Sequence, residues 1–231
     1  MRATLEVVVA TVADAVAAEA GGADRLELVA NLVEGGITPS AGVIAATRKA
    51  TRLPIYIMIR PRGGSFHFSP AEVGAMAMDA RIARELGADG LVVGALTPDG
   101  AVDREAMLQV LNEGRLPATF HRAFELISDK AGGLDQVASL PYVERVLTSG
   151  GAANPETAVD VLRDMISQKR LEIMVGAGVT RANAGFILRE TRTTALHTAT
   201  AVRDPSLPTA TVSAALVAEM RQIVEGGASH V

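Results

Sequence analysis

Ile55-Tyr56-Ile57-Met58-Ile59-Arg60-Pro61-Arg62-Gly63-Gly64 alternates with a period of two and then stops at a proline and a glycine pair. This alternation predicts a strand, and the Pro and Gly that follow predict a loop whose backbone can approach a ligand closely. Ile55, Ile57 and Ile59 make one face. Tyr56, Met58 and Arg60 make the other, so a guanidinium is expected at the carboxyl end of a buried strand. Burying that charge is costly unless a carboxylate or an anionic ligand answers it.

Seven further apolar runs of similar length accompany it: Leu5–Ala10, Arg25–Ala30, Gly90–Leu96, Ala118–Ala123, Arg145–Ser149, Glu172–Gly176 and Ala195–Ala199. Segments of helical character separate them. Val12 to Ala20 ends at Gly21-Gly22 and Ala71 to Leu86 ends at Gly87, which is where helix-stopping glycine belongs. Ser69-Pro70-Ala71-Glu72 reads as a capping box, and Thr38-Pro39 and Asn154-Pro155-Glu156 each place a capping residue before a proline. Strands that alternate with helices call for a parallel sheet, and eight such units in 231 residues call for a single-domain α/β (βα)8 TIM barrel spanning 1–231. A doubly wound sheet is the competing architecture. The turn after the first strand, Thr11-Val12-Ala13-Asp14, lacks the Gly-x-Gly-x-x-Gly pattern that would support it.

Composition narrows the function. Hydrophobic residues make up 48% and charged residues 21% of the chain, and no apolar run reaches the length of a membrane span. The start, Met1-Arg2-Ala3-Thr4, carries no signal-type segment, so a cytoplasmic location is expected. A net charge of −4 and 3% aromatic residues offer neither a basic footprint nor a stacking platform, so no nucleic-acid partner is expected. With no cysteine there is no thiol nucleophile or thiolate ligand. Lys49, Lys130 and Lys169 all lie outside the strand runs, which leaves Schiff-base chemistry without a nucleophile.

Strand parity aims Glu6, Glu27, Asn31, Arg60, His121 and His197 toward the barrel interior. Barrel active sites assemble at strand carboxyl ends, where Asn31, Arg60, Arg62 and His121 fall. Glu27 and His121 are the candidate catalytic pair, and Arg60 and Arg62 the candidate clamp for an anion. Glu6 is read as a supporting residue one layer deeper. The plainer reading is that Glu6 or Glu27 neutralises Arg60 as an interior ion pair, that His121 is a satisfied core residue, and that Met58 and Met174 are core packing. Ser149-Gly150-Gly151 and Gly176-Ala177-Gly178 are candidate anion-binding turns, completed by Arg203 after the last strand, with tight-turn geometry as the alternative. His67 is expected in a lid or at the surface and His230 in the tail. No residue is assigned to a metal, with an oxygen-and-nitrogen site from His121, His197 and a glutamate as the alternative.

The phrases Gly22-Ala23-Asp24-Arg25-Leu26-Glu27-Leu28, Asn31-Leu32-Val33-Glu34-Gly35-Gly36, Met58-Ile59-Arg60-Pro61-Arg62-Gly63-Gly64, Thr119-Phe120-His121-Arg122-Ala123-Phe124 and Leu147-Thr148-Ser149-Gly150-Gly151 resemble the CutC family of copper homeostasis proteins. The resemblance implies a cytosolic barrel, a homo-oligomer and a role in copper handling, with copper as the implied ligand. Where relatives carry cysteine this chain has Val8 and Val29, and Ser65, Glu125 and Ala177 also depart from the family pattern. Two functional readings follow. One keeps the copper role of the family. The other is a metal-independent isomerase, epimerase or lyase acting on a small phosphorylated or carboxylated metabolite, with no cofactor identified.

Overall fold

The computed structural model describes residues 2–203 and 211–228, so His230 lies outside the described residues. Eight strands, β1 (Thr4–Val9), β2 (Arg25–Leu28), β3 (Ile55–Met58), β4 (Gly90–Val93), β5 (Ala118–Phe120), β6 (Val143–Thr148), β7 (Glu172–Val175) and β8 (Ala195–Thr198), close into one parallel barrel. Each pairs with its sequence neighbour, and β8 returns to β1 through Thr4 to Val7 against Ala195 to Thr198. The helices are α1 (Val12–Ala20), α2 (Ala41–Ala50), α3 (Pro70–Glu85), α4 (Arg104–Gly114), α5 (Lys130–Ala138), α6 (Val159–Ser167), α7 (Ala184–Thr191) and α8 (Ala214–Ala228). None of the described helices is long and apolar enough to cross a membrane.

The period of two sorts side chains into two cores. Leu5, Val7, Leu26, Leu28, Ile55, Ile57 and Ile59 face the helices and belong to one large apolar cluster. Val8, Val29, Tyr56, Met58 and Val92 form a separate, smaller cluster inside the barrel. The apolar runs extend up to three residues past the strands, because Arg60, Leu96 and His121 sit in the turns that leave the sheet rather than in its ladder.

Helix starts are set by local chemistry. Ser69 and Glu72 close the expected capping box on α3, and Asn154 caps a short 3₁₀ turn, Pro155–Ala158, that leads into α6. The expected cap at Thr38 is instead Ser40, whose hydroxyl accepts from the Val43 N–H. Thr38 is unavailable because its hydroxyl accepts the Arg60 N–H at 2.9 Å and its own N–H donates to the Arg60 carbonyl at 2.8 Å. That exchange ties the loop after β2 to the one after β3.

The lower interior is charged. Arg25 and Arg145 lie over the Tyr56 ring, each with its guanidinium carbon 5.0 Å from the ring centroid. Arg145 also donates to Glu172 at 2.7 Å and to the Thr119 hydroxyl at 3.3 Å. Room for this layer comes from glycine: a Cβ on Gly90 would stand 2.2 Å from the Tyr56 ring. Gly90→Ala should therefore destabilise the fold by about 1–3 kcal/mol, although alanine is ordinarily better than glycine in a strand, because the ring cannot yield without moving a guanidinium. Urea unfolding of the two proteins, followed by circular dichroism, gives the difference.

Candidate functional site

A cavity of about 280 Å³ opens at the carboxyl ends of the strands. Glu27, Arg60, His121, Gly178 and His197, all expected from the sequence, line it, as does Thr198 from the hydroxyl-bearing loop after the last strand, together with Arg122 and Phe66, which were not expected there. Its volume lies at the lower end of the range for small-molecule sites.

Glu6 lies at its floor and is wholly buried. Its carboxylate accepts from Arg25 Nε and stands 2.8 Å from His197 Nδ1. Burial pushes the Glu6 carboxyl up, but the Arg25 guanidinium and the His197 bond outweigh it and hold the group at about 2. Glu6 therefore pairs with Arg25, and the expected neutralisation of Arg60 by Glu6 or Glu27 does not occur. Sequence reading did not single out Arg25; it lies two residues before Glu27 on β2, so the same parity is the signal that finds it.

Glu27 is the second carboxyl of the cluster and the less satisfied one. Its Oε2 lies 3.7 Å from His197 Nδ1 and has no hydrogen-bond partner among the described residues. Burial raises its pKa to about 7, and the Glu6 charge adds to this against the pull of His197 and Arg25. His197 moves upward as well: burial lowers it, but the Glu27 charge and the Glu6 bond prevail. Glu6, Glu27 and His197 bring three donor atoms within 4.8 Å of one another. A cation there would meet the Arg25 guanidinium already bound to Glu6 and would have to break the His197 bond, so the arrangement suits a shared proton better than a metal ion.

Arg60 is 5% exposed, and no carboxylate lies within ion-pair distance of it among the described residues. Three backbone carbonyls hold it: Glu34 at 2.8 Å, Gly36 at 3.1 Å and Gly64 at 2.8 Å. Its guanidinium carbon sits 4.7 Å from the centre of the Phe66 ring, and its Nε has no hydrogen-bond partner among the described residues. Burial lowers its pKa, yet a guanidinium stays charged at any working pH.

His121 packs against the other part of that ring at 4.8 Å. Its Nδ1 accepts the Ala123 N–H at 3.2 Å, which assigns the proton of the neutral ring to Nε2, and Nε2 has no partner among the described residues. Burial, reinforced by Arg60 and Arg122, drops the imidazole to about 3, so it is neutral near pH 7. A Cβ on Gly94 would stand 2.4 Å from this ring, and one on Gly176 would stand 3.0 Å from the His197 Cβ. The two strand-end glycines thus make space for the two histidines, a role that follows from strand parity once both histidines are placed inward.

Other expectations need correction. Arg62 turns away from the cavity: it pairs with Glu72 at 2.5 Å, lies on the Phe68 ring and donates to the carbonyls of Gly63, Ser65 and His67. It braces its own loop to α3, and Arg122 supplies the second cavity-lining cation in its place. Parity could not single out Arg122, because the chain leaves the strand at His121. Asn31 is exposed, with φ at 49°, and opens a short 3₁₀ turn, Leu32–Glu34, rather than reaching the cavity. The cradle expected at Ser149-Gly150-Gly151 is filled from within: Glu125 accepts from the Ser149 and Gly151 N–H groups at 2.6 and 2.8 Å, while the Gly150 N–H goes to Thr148. Arg203 likewise turns to the Val8 carbonyl and Asp14. His67 is exposed and outside the cavity.

Comparison with known proteins identifies the family. The sequence pattern of the CutC family matches residues 3–202. The human copper homeostasis protein cutC homolog is 41% identical over 220 residues, which cover 94% of this chain and 80% of that protein. A CutC family protein of Vibrio atlanticus is 40% identical over 213 residues, covering 90% of this chain and 85% of that one. The crystal structure of CutC from Streptococcus agalactiae superposes with a TM-score of 0.81 at 33% identity, over 86% of this chain and 98% of that one. A barrel of this topology, matched along most of its length by these relatives, makes the chain a member of the CutC family.

Proposed function

We propose that the barrel mouth is the active site of a metal-independent acid–base enzyme that moves a proton beside a carbonyl of a small anionic metabolite, as isomerases, epimerases and some lyases do. One observation carries the reading: a buried carboxyl, Glu27, with an unpartnered oxygen and a pKa of about 7, shares a cavity with the bare Nε2–H of a neutral histidine. A carboxyl poised near neutrality can both take and return a proton.

Ionised Glu27 takes the proton from the carbon next to the carbonyl. The C–H electron pair becomes the new carbon–carbon double bond, and the carbonyl pair moves onto oxygen. His121 Nε2–H donates to that oxygen, and the Arg60 charge favours the negative product. Glu27 then returns its proton either to the same carbon, once the enolate has turned its other face, or to the former carbonyl carbon of a substrate whose neighbouring hydroxyl passes its proton to the new oxygen.

The second reading is copper handling, which the relatives' names support. The residues present fit it poorly. Val8 and Val29 stand where the family resemblance places cysteine, and they pack with Met58 in a purely apolar and aromatic cluster. The Met174 sulfur accepts from Arg25 at 3.2 Å. No two soft donors face each other in that cluster, and a cuprous ion needs such ligands. Anaerobic titration with cuprous ion should give micromolar or weaker binding that replacing His121 and His197 leaves unchanged; tighter binding lost with those histidines would restore the copper reading.

A thermal-shift screen of organic acids and phosphorylated sugars tests the proposed enzyme. A ligand at a hundred times its Kd should stabilise the protein by about 2.7 kcal/mol, roughly 5–10 °C for a chain of this size, and Arg60→Ala should abolish the shift. Stabilisation that survives Arg60→Ala places the ligand elsewhere. With a substrate in hand, Glu27→Gln should keep binding and lower turnover by about 10²–10⁴-fold.

The pH dependence of stability gives a ligand-free check. Glu27, faced by His197, Glu6 and Arg25, binds its proton more tightly folded than unfolded, since its pKa rises from 4.5 to about 7. Its contribution to stability is thus complete below pH 4.5 and is lost as pH climbs to about 7. The Tm of Glu27→Gln should gain on that of the wild type across this window; parallel curves would mean that Glu27 ionises freely.

A further inference from the structure

We infer that the mouth is built for a low-molecular-weight hydroxy acid, its carboxylate held by Arg60 and His121 and its hydroxyl by Thr198 and Glu27. The inference rests on the acid–base reading and narrows its substrate class.

Arg60 Nε, His121 Nε2, Thr198 Oγ1 and Glu27 Oε2 all lack partners among the described residues, and all four residues line the same cavity. Each is at most 5% exposed. A buried polar atom left bare is costly, and a ligand with matching groups would recover that cost.

The four atoms sort into two kinds. Arg60 Nε–H and His121 Nε2–H, the latter by its tautomer, only donate. They follow β3 and β5, both pack on the Phe66 ring, and the Arg60 charge acts on the His121 imidazole, so one anion between them can meet two donors, as the two oxygens of a carboxylate would. Arg122, exposed at the rim and without an ion pair among the described residues, adds charge on the same side. The Thr198 hydroxyl and the Glu27 carboxyl can donate or accept, and they come from β8 and β2. A hydroxyl, itself donor and acceptor, is the group that can serve both.

A phosphate fits less well. It asks for more donors than two side-chain N–H groups, and barrels usually supply these from backbone amides. The nest at Ser149 and Gly151 is closed to it by Glu125, which leaves the turn at Ala177 and Gly178 as the source of amides on the cavity wall among the described residues.

Titration calorimetry with 2-hydroxy acids of three to five carbons, their deoxy counterparts and the phosphate esters of the matching alcohols tests this. The hydroxy acid should bind wild type on the order of tenfold or more tightly than the deoxy acid. Thr198→Val, which keeps the shape and removes the hydroxyl, should reduce that ratio at least severalfold. Arg122→Ala, at an exposed position, should weaken both acids by the same factor and should spare the ratio, which keeps the test open if Thr198→Val folds poorly. Equal binding of the deoxy acid overturns the hydroxyl assignment. Tighter, Arg60-dependent binding of phosphate esters overturns the carboxylate assignment and leaves the acid–base reading standing. Absence of any Arg60-dependent ligand overturns both.

Discussion

Glu6 has no contact with solvent and divides its carboxylate between Arg25 and His197. Removing one partner from a buried pair of this kind costs about 3–5 kcal/mol, so the three groups stand or fall together. The arrangement also decides what the neighbouring carboxyl becomes. With Arg25 committed to Glu6, Glu27 is left buried beside a like charge, and these two outweigh the pull of His197 and the more distant Arg25, so it retains a proton close to neutral pH. Two glutamates on adjacent strands acquire opposite characters from their surroundings: one is a fixed anion that holds the floor, the other a group that can change charge at the cavity wall.

The same division of labour separates the arginines. Arg25 and Arg145 stack on Tyr56 and pair with Glu6 and Glu172, which makes a rigid charged layer beneath the mouth. Arg62 is consumed by Glu72 and its own loop. Only carbonyl dipoles, an aromatic face and the more distant Glu34 carboxylate moderate Arg60, so its charge is directed at whatever enters the cavity. A guanidinium held by backbone groups keeps its position with or without a ligand, and that is the preorganisation an anion site requires.

The sequence carried the fold clearly, because parity and helix punctuation are local signals. Ile55, Ile57 and Ile59 had to face one way, and Ser69 with Glu72 had to begin a helix. The floor of the site was legible for the same reason, since Glu6, Glu27 and His197 lie within strands. What the sequence could not convey was the direction of side chains beyond strand ends. Arg62 and Arg122 both follow a strand by only a few residues, and which of them turns inward depends on Glu72, Phe68 and the turn at Ala123. Asn31 was misjudged likewise, because its left-handed backbone breaks the alternation that the argument had extended to it.

The loop after β6 illustrates how a sequence signature can be present and yet spoken for. Its glycines take the positive φ values of an oxyanion nest, 77° at Gly150 and 83° at Gly151, and the nest is complete. Its guest is covalently attached. Glu125, held on the 3₁₀ turn Arg122–Leu126 that follows β5, competes at the effective concentration of a tethered group, in the millimolar range or above, so a free anion meets an incumbent that never diffuses off. Selectivity among anions at this rim is thereby settled partly by exclusion, with the molecule's own carboxylate closing one berth and leaving arriving ligands to the other.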